Sequence, residues 1–167
     1  MMRGVHDRHA AARHPTLATV SVSGLPQART IVLRAADRAN GTLDIHTDVN
    51  SAKVEELRAN PGAALHVWDD RARLQIRLAV NAAILTGPAV AADWARVPES
   101  SRISYGVNPA PGQPIPEPLA YDRQPDVAGF AVIRLQVQQM DVLHLGEAHR
   151  RAHYKRSDHW LGQWLAP

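Results

Sequence analysis

At 167 residues the chain is long enough for one domain with a substantial core and too short for two. Hydrophobic residues make up 45% and charged residues 21%, with Lys plus Arg exceeding Asp plus Glu by 19 to 16. The absence of cysteine excludes disulfides, thiolate metal sites and a cysteine nucleophile, and the small, scattered charge excess forms no nucleic-acid stripe.

The first fourteen residues are polar and are expected to be flexible or loosely helical. They lack the apolar core of a signal peptide, and no apolar run reaches membrane-spanning length, so a cytoplasmic protein is the default expectation. Leu17 to Val22 alternates as a half-buried strand should and turns through S-G-L-P into a second strand, Gln27 to about Ala35. After a turn at Asp37 to Gly41 comes a strand at Leu43 to Thr47. Ser51 to Asn60 reads as a short helix with Val54 and Leu57 on one face, ended by Asn60-Pro61-Gly62. Ala63 to Trp68 and Leu74 to Thr86 are further strands, and Ala89 to Val97 a helix. Tyr105 to Asp126 is proline-rich and without regular structure, a length that in a compact domain serves function or covers a neighbour. Gly129 to Val137 and Met140 to Leu145 are expected as two strands turning at Gln138-Gln139. The apolar end, H-W-L-G-Q-W-L-A-P, is expected to dock. Many strands and few helices predict a mainly β (α+β) single domain, a β-barrel with peripheral helices.

The stretch from Arg29 to Gln75 strings together parts of an anion site: A-R-T-I-V-L-R, then H-T-D-V-N-S-A-K, then L-Q-I-R. Thr47, Ser51 and Lys53 fall within seven residues across a strand-to-helix junction, where hydroxyls, an ammonium and a helix start suit a phosphate dianion. Ser51 can cap the helix or bind the anion, but one hydroxyl cannot do both fully. Arg29 and Arg34 supply further charge. Five apart in a flat strand, they point to opposite faces, so a split of roles is expected, one on the phosphate and the other on a ring or a partner subunit. Solvated edge charges and an ordinary helix cap are the alternative reading.

In this order and spacing the segments resemble the pyridoxamine 5′-phosphate oxidase family, flavoproteins with an FMN-binding split barrel, from about Thr16 to Pro167. The resemblance implies FMN as cofactor, held by the run Arg29, Thr30, Ile31, Val32, Leu33 and Arg34, by His46 and Thr47, by Ser51 and Lys53, and by Gln75. Arg29 matches the arginine that opens the family's R-x-x-x-x-K segment, and Arg34 stands at its closing lysine. His46-Thr47 stands for a Tyr-Thr pair, Ala52-Lys53 for an Arg-Lys pair, and Gln75 for the glutamine that hydrogen-bonds the flavin. At the substrate end the match is thinner: Arg102 and Tyr105 lie in the right region. Arg150 matches the first arginine of the late R-L-H-D-R signature, whose tryptophan partner is His144 here and whose last arginine is Tyr154.

The resemblance further implies hydride transfer from a small substrate to flavin N5, with Gln75 and Arg34 at the ring edge. It also implies a homodimer with flavin sites at the subunit interface, where Trp68, Trp94 and the aromatic tail are candidate anchors. The alternatives are a flavin-binding, storage or sensing module without vitamin B6 oxidase activity, or a flavin reductase. His149 and His153, four apart, could share a helical face with His144 or His159 as a further metal ligand, but no carboxylate pattern completes a set and no metal site is expected. Haem ligation by His46, His144 or His149 would leave the phosphate residues unexplained. No G-x-G or G-K-[ST] motif occurs.

Overall fold

The computed structural model describes residues 1–167. Its main strands are β1 (Thr16–Val20), β2 (Pro26–Thr30), β3 (Leu33–Asp37), β4 (Thr42–Asp48), β5 (Gly62–Asp69) and β6 (Leu74–Leu85). Two short strands, β7 (Val107–Asn108) and β8 (Asp122–Arg123), precede β9 (Phe130–His144), β10 (Arg150–Lys155) and β11 (Gly162–Leu165). The helices are α1 (Met2–His6), α2 (Ala52–Ala59), α3 (Ala91–Arg96) and α4 (Glu99–Arg102). None is long and apolar enough to cross a membrane.

Nine strands form one antiparallel sheet in the order β11-β10-β9-β6-β5-β1-β2, with β4 also on β9 and β3 on β4. It curls around a core of Leu17, Leu33, Ile45, Leu65, Ile133 and Leu135 without closing. The apolar face of α2 plugs this core with Val54 and Leu57, each contributing roughly 1.5–3 kcal/mol by burial.

The two strands expected around Gln138-Gln139 are instead one 15-residue strand. One edge of β9 pairs with β6 throughout, while the other pairs first with β4 and then with β10. The β6 register steps from Ala79↔Gln139 to Val80↔Val137, so Gln138 is the extra residue of a bulge. The parity of the strand changes there: Ile133, Leu135 and Val137 face the core before it, Met140 and Val142 after it. Two polar glutamines imitate a turn in sequence, but with no Gly, Asn or Pro they bend the strand without reversing it.

The expected strand Gln27 to Ala35 is two strands, because Ile31 leaves the β1 ladder and its N–H bonds the Pro15 carbonyl at 3.0 Å. The N-terminal segment holds α1 and a short 3-10 turn at Ala11–Arg13, and the Arg13 guanidinium bonds the Val5 and Leu33 carbonyls at 3.1 Å each. Gly4 is required there, since a Cβ would lie 2.4 Å from the Ala12 carbonyl oxygen. The proline-rich stretch carries the β7–β8 ribbon. The C-terminal segment docks as an edge strand on β10.

A second apolar cluster lies outside the barrel, where Val90, Val97 and Tyr105 cover Phe130 and Val132 of β9. Elsewhere the outer face is uncovered by helices. It carries Asp141 between Arg77 at 2.6 Å and Arg151 at 2.8 Å.

Candidate functional site

Between β4 and α2 the chain turns through Val49-Asn50-Ser51. The Asp48 carboxylate fixes this turn by accepting the Asn50 N–H at 2.8 Å, while the Asp48 carbonyl accepts the Ser51 hydroxyl at 2.8 Å. Ser51 occupies the N-cap position of α2 yet makes no capping bond. Its hydroxyl turns instead toward Thr47, 3.0 Å away, and Lys53 Nζ donates to Thr47 Oγ1 at 2.9 Å. The three residues grouped by the sequence therefore share one hydrogen-bonded cluster.

Arg29 sits opposite Leu17 in the β1–β2 ladder and so points to the inner side of the sheet. Its guanidinium pairs with Glu56 Oε2 of α2 at 2.8 Å and donates to Thr19 Oγ1; Thr19 in turn donates to Glu56 at 2.5 Å. Burial, and next the nearby charge of Arg29, lower the Lys53 pKa below its ordinary value. Glu56 is taken up by Arg29 and Thr19, and Asp48 by the N–H groups of Asn50 and Gly106. Lys53 makes no ion pair, so the cluster presents a half-buried ammonium beside a guanidinium.

Arg34 lies elsewhere. The β3–β4 register steps from Leu33↔Ile45 to Ala35↔Asp44, which makes Arg34 the bulged residue. Its charge acts on His46 and on Tyr105, both outside the barrel. His46 meets Phe130 edge to face at 5.0 Å, and burial, aided by Arg34, holds its pKa at about 4. The ring is therefore neutral near pH 7. A cavity of about 260 Å³ opens here, lined by Arg34, His46, Asp93, Arg96, Pro98 and Ser101 among others. His46 and Thr47, adjacent in sequence, serve opposite faces of β4.

Of the other expected cofactor residues, Ile31 and Leu33 belong to the core, so any cofactor contact they make runs through the main chain. Val32 is half-buried and Thr30 exposed. Gln75 lies on the uncovered outer face, between Trp68 and Leu143 on neighbouring strands, with His66 Nε2 3.4 Å from its Oε1. Within one chain it does not join the Lys53 cluster. Of the tryptophans considered as anchors, Trp68 is 41% exposed, whereas Trp94 packs against Phe130 at 5.3 Å.

Of the expected substrate residues, Arg102 and Tyr105 both lie against Trp94, and Arg150 lies apart on β10. Arg102 bonds the Val97 carbonyl at 3.1 Å and lies over Trp94 at 5.1 Å, closing the end of α3. Tyr105 is buried against Phe130 at 4.9 Å, and burial pushes its phenol up. Arg150 is exposed, 3.5 Å from His144 Nδ1. His149 and His153 share no helix, since Arg150–Lys155 is strand, and no three acidic or histidine side chains gather as metal ligands.

Thr19, Asp48 and Glu56 were missed as site residues. The available signal was parity and period: Thr19 shares the inner face with Leu17, and Glu56 stands one helical turn beyond Lys53 on the buried side of α2.

The profile of the family described as pyridoxamine 5′-phosphate oxidase, FMN-binding domain, matches residues 2–86. The chain belongs to this family. The open sheet is its split barrel, mainly β with peripheral helices. A pyridoxine/pyridoxamine 5′-phosphate oxidase of Microcystis aeruginosa is 44% identical over 63 residues, covering 38% of this chain and 28% of the relative. One from Thermosynechococcus vestitus is 27% identical over 152 residues, covering 91% and 62%. The chain thus spans less than two thirds of these curated relatives. A solved structure from Nostoc punctiforme, a pyridoxamine 5′-phosphate oxidase-related, FMN binding protein, superposes with a TM-score of 0.83 at 28% identity over 99% of this chain and 94% of that one.

Proposed function

We propose that this family member is an FMN-dependent oxidoreductase that removes a hydride from a small substrate. The observation that carries the reading is Lys53, a half-buried ammonium without a carboxylate, bonded to Thr47 and set beside Ser51 and Arg29. One ammonium, one guanidinium and two hydroxyls match the terminal phosphate of FMN. A dianion between Lys53 and Arg29 relieves both causes of the lowered Lys53 pKa, because it offsets burial and cancels the neighbouring positive charge.

When bound, the flavin supplies the hydride acceptor. Lys53 and Arg29 would hold its phosphate, and Thr47 and Ser51 would orient it. Glu56 and Thr19 position the Arg29 fork, and Asp48 fixes the turn that carries Ser51. Neutral His46 can exchange a hydrogen bond with substrate without adding charge. Gln75 stands apart from the cradle within one chain, which favours a two-fold dimer in which a second copy brings its outer face to the flavin.

A second reading has specific support. Arg102 is committed to α3 and Tyr105 is buried, so neither is free to grip a vitamin phosphate. This favours a flavoprotein without vitamin B6 oxidase activity. The test is flavin retention by the purified protein, followed by an assay for hydrogen peroxide with pyridoxamine and pyridoxine 5′-phosphate. Peroxide release supports the vitamin oxidase, and bound flavin without turnover supports the second reading. Failure to retain or take up FMN would sink both.

A further inference from the structure

We infer that the cavity beside α3 is a recognition pocket for a small substrate bearing a single carboxylate, and that it discriminates against phosphate esters. This rests on the oxidoreductase reading and names its substrate class.

The charges along the cavity wall set this preference. Arg34 forms no ion pair and its side-chain hydrogen bond goes to the uncharged Tyr105 hydroxyl, so its positive charge is uncompensated at the cavity. Arg96 is already neutralised by Asp93 at 2.6 Å. His46 is uncharged near pH 7, and Ser101 contributes a hydroxyl. The lining therefore offers one uncompensated positive charge with a single hydroxyl beside it. The Lys53 cradle, whose Arg29 is likewise paired, instead adds two hydroxyls and the start of α2 to its free ammonium. A carboxylate matches the cavity lining in charge and in the planar fork of an arginine pair. A phosphate ester carries about −1.5 to −2 at pH 7 and would bring its surplus charge against the Asp93 carboxylate. The volume of about 260 Å³ admits one ring or a short chain. The Lys53–Arg29 cluster lies on the other face of β4, so phosphate and carboxylate would be held by separate basic groups.

The test compares benzoate with phenyl phosphate, which differ mainly in the anionic head. FMN affinity is first measured by fluorescence quenching, and the FMN-loaded protein is then titrated with each probe by calorimetry. Benzoate should bind at least about tenfold more tightly than phenyl phosphate, the factor expected of one charge-assisted contact. Arg34→Ala should weaken benzoate by at least about tenfold. Asp93→Asn frees Arg96 and should strengthen phenyl phosphate by about tenfold or more, a gain that a damaged fold would not produce. The proposal is overturned if FMN-loaded protein ignores benzoate, if phenyl phosphate binds it as tightly, or if benzoate binding survives Arg34→Ala. Absence of FMN binding in the first titration would instead overturn the oxidoreductase reading, and the proposal with it.

Discussion

Lys53 of α2 donates to the Thr47 hydroxyl of β4 at 2.9 Å and has no acidic partner, although Glu56 stands one helical turn further along. Glu56 is held by Arg29 and Thr19 instead. The cradle therefore keeps one cation in reserve while its other cation is locked in place.

Lys53→Ala and Arg29→Ala should each weaken FMN binding by at least about tenfold, the loss of one charge-assisted contact of roughly 1.5–3 kcal/mol. Fluorescence titration measures this. The two variants should differ in thermal melts without ligand: removing unpaired Lys53 costs little, while removing Arg29 leaves the buried Glu56 unpaired and lowers the melting temperature. Unchanged FMN affinity in both variants would remove the cradle assignment.

Glu56→Gln should destabilise the ligand-free protein by about 3 kcal/mol, since it breaks a largely buried ion pair and leaves Arg29 and Lys53 facing each other. FMN should restore more stability to this variant than to wild type, because the dianion replaces the lost negative charge. Urea melts with and without FMN separate these effects; an equal FMN increment in both proteins would count against it.

His46 titrates at about 4 in the folded chain against an ordinary 6.5. Its folded pKa is lowered, so the unfolded chain takes up the proton first. Stability is therefore lost as pH falls from about 6.5 towards 4 and levels off below. Urea midpoints across this window should fall less steeply for His46→Gln than for wild type; parallel curves would show that burial of His46 does not govern the acid limb.

Gly106 adopts φ +109°, a Cβ there would sit 2.4 Å from the Gln124 carbonyl oxygen, and its N–H bonds Asp48 at 2.9 Å. Gly106→Ala should therefore cost more than about 2 kcal/mol and displace the proline-rich stretch from the turn that carries Ser51. Limited proteolysis should cut within residues 107–126 faster than in wild type. A wild-type rate at unchanged stability would refute the tether.

What the sequence disclosed follows the reach of its signals. Thr47, Ser51 and Lys53 lie within one strand-to-helix junction, so spacing alone grouped them. Alternation set Arg29 and Arg34 facing apart, and the structure has them on different faces, but it could not place the bulge at Arg34. Glu56 and Thr19 escaped because their link to Arg29 is tertiary, joining residues 27 and 10 positions apart. Arg102 was placed only by region, because nothing local announces that a guanidinium will bond carbonyls five and more residues behind it. Gln138-Gln139 misled because a bulge and a turn share polar residues and differ in partners further along the chain.

That bulge acts on β9 as an inserted letter acts on a reading frame. Within the strand everything downstream of Gln138 is shifted by one, which turns Asp141 outward to meet Arg77 of β6 and Arg151 of β10, and turns Met140 and Val142 to the inside. Excising the one residue would rotate the distal half of the strand about its axis and drive a carboxylate into the lumen. The polarity of both faces of that half of the sheet thus hangs on a residue with no chemistry of its own to perform.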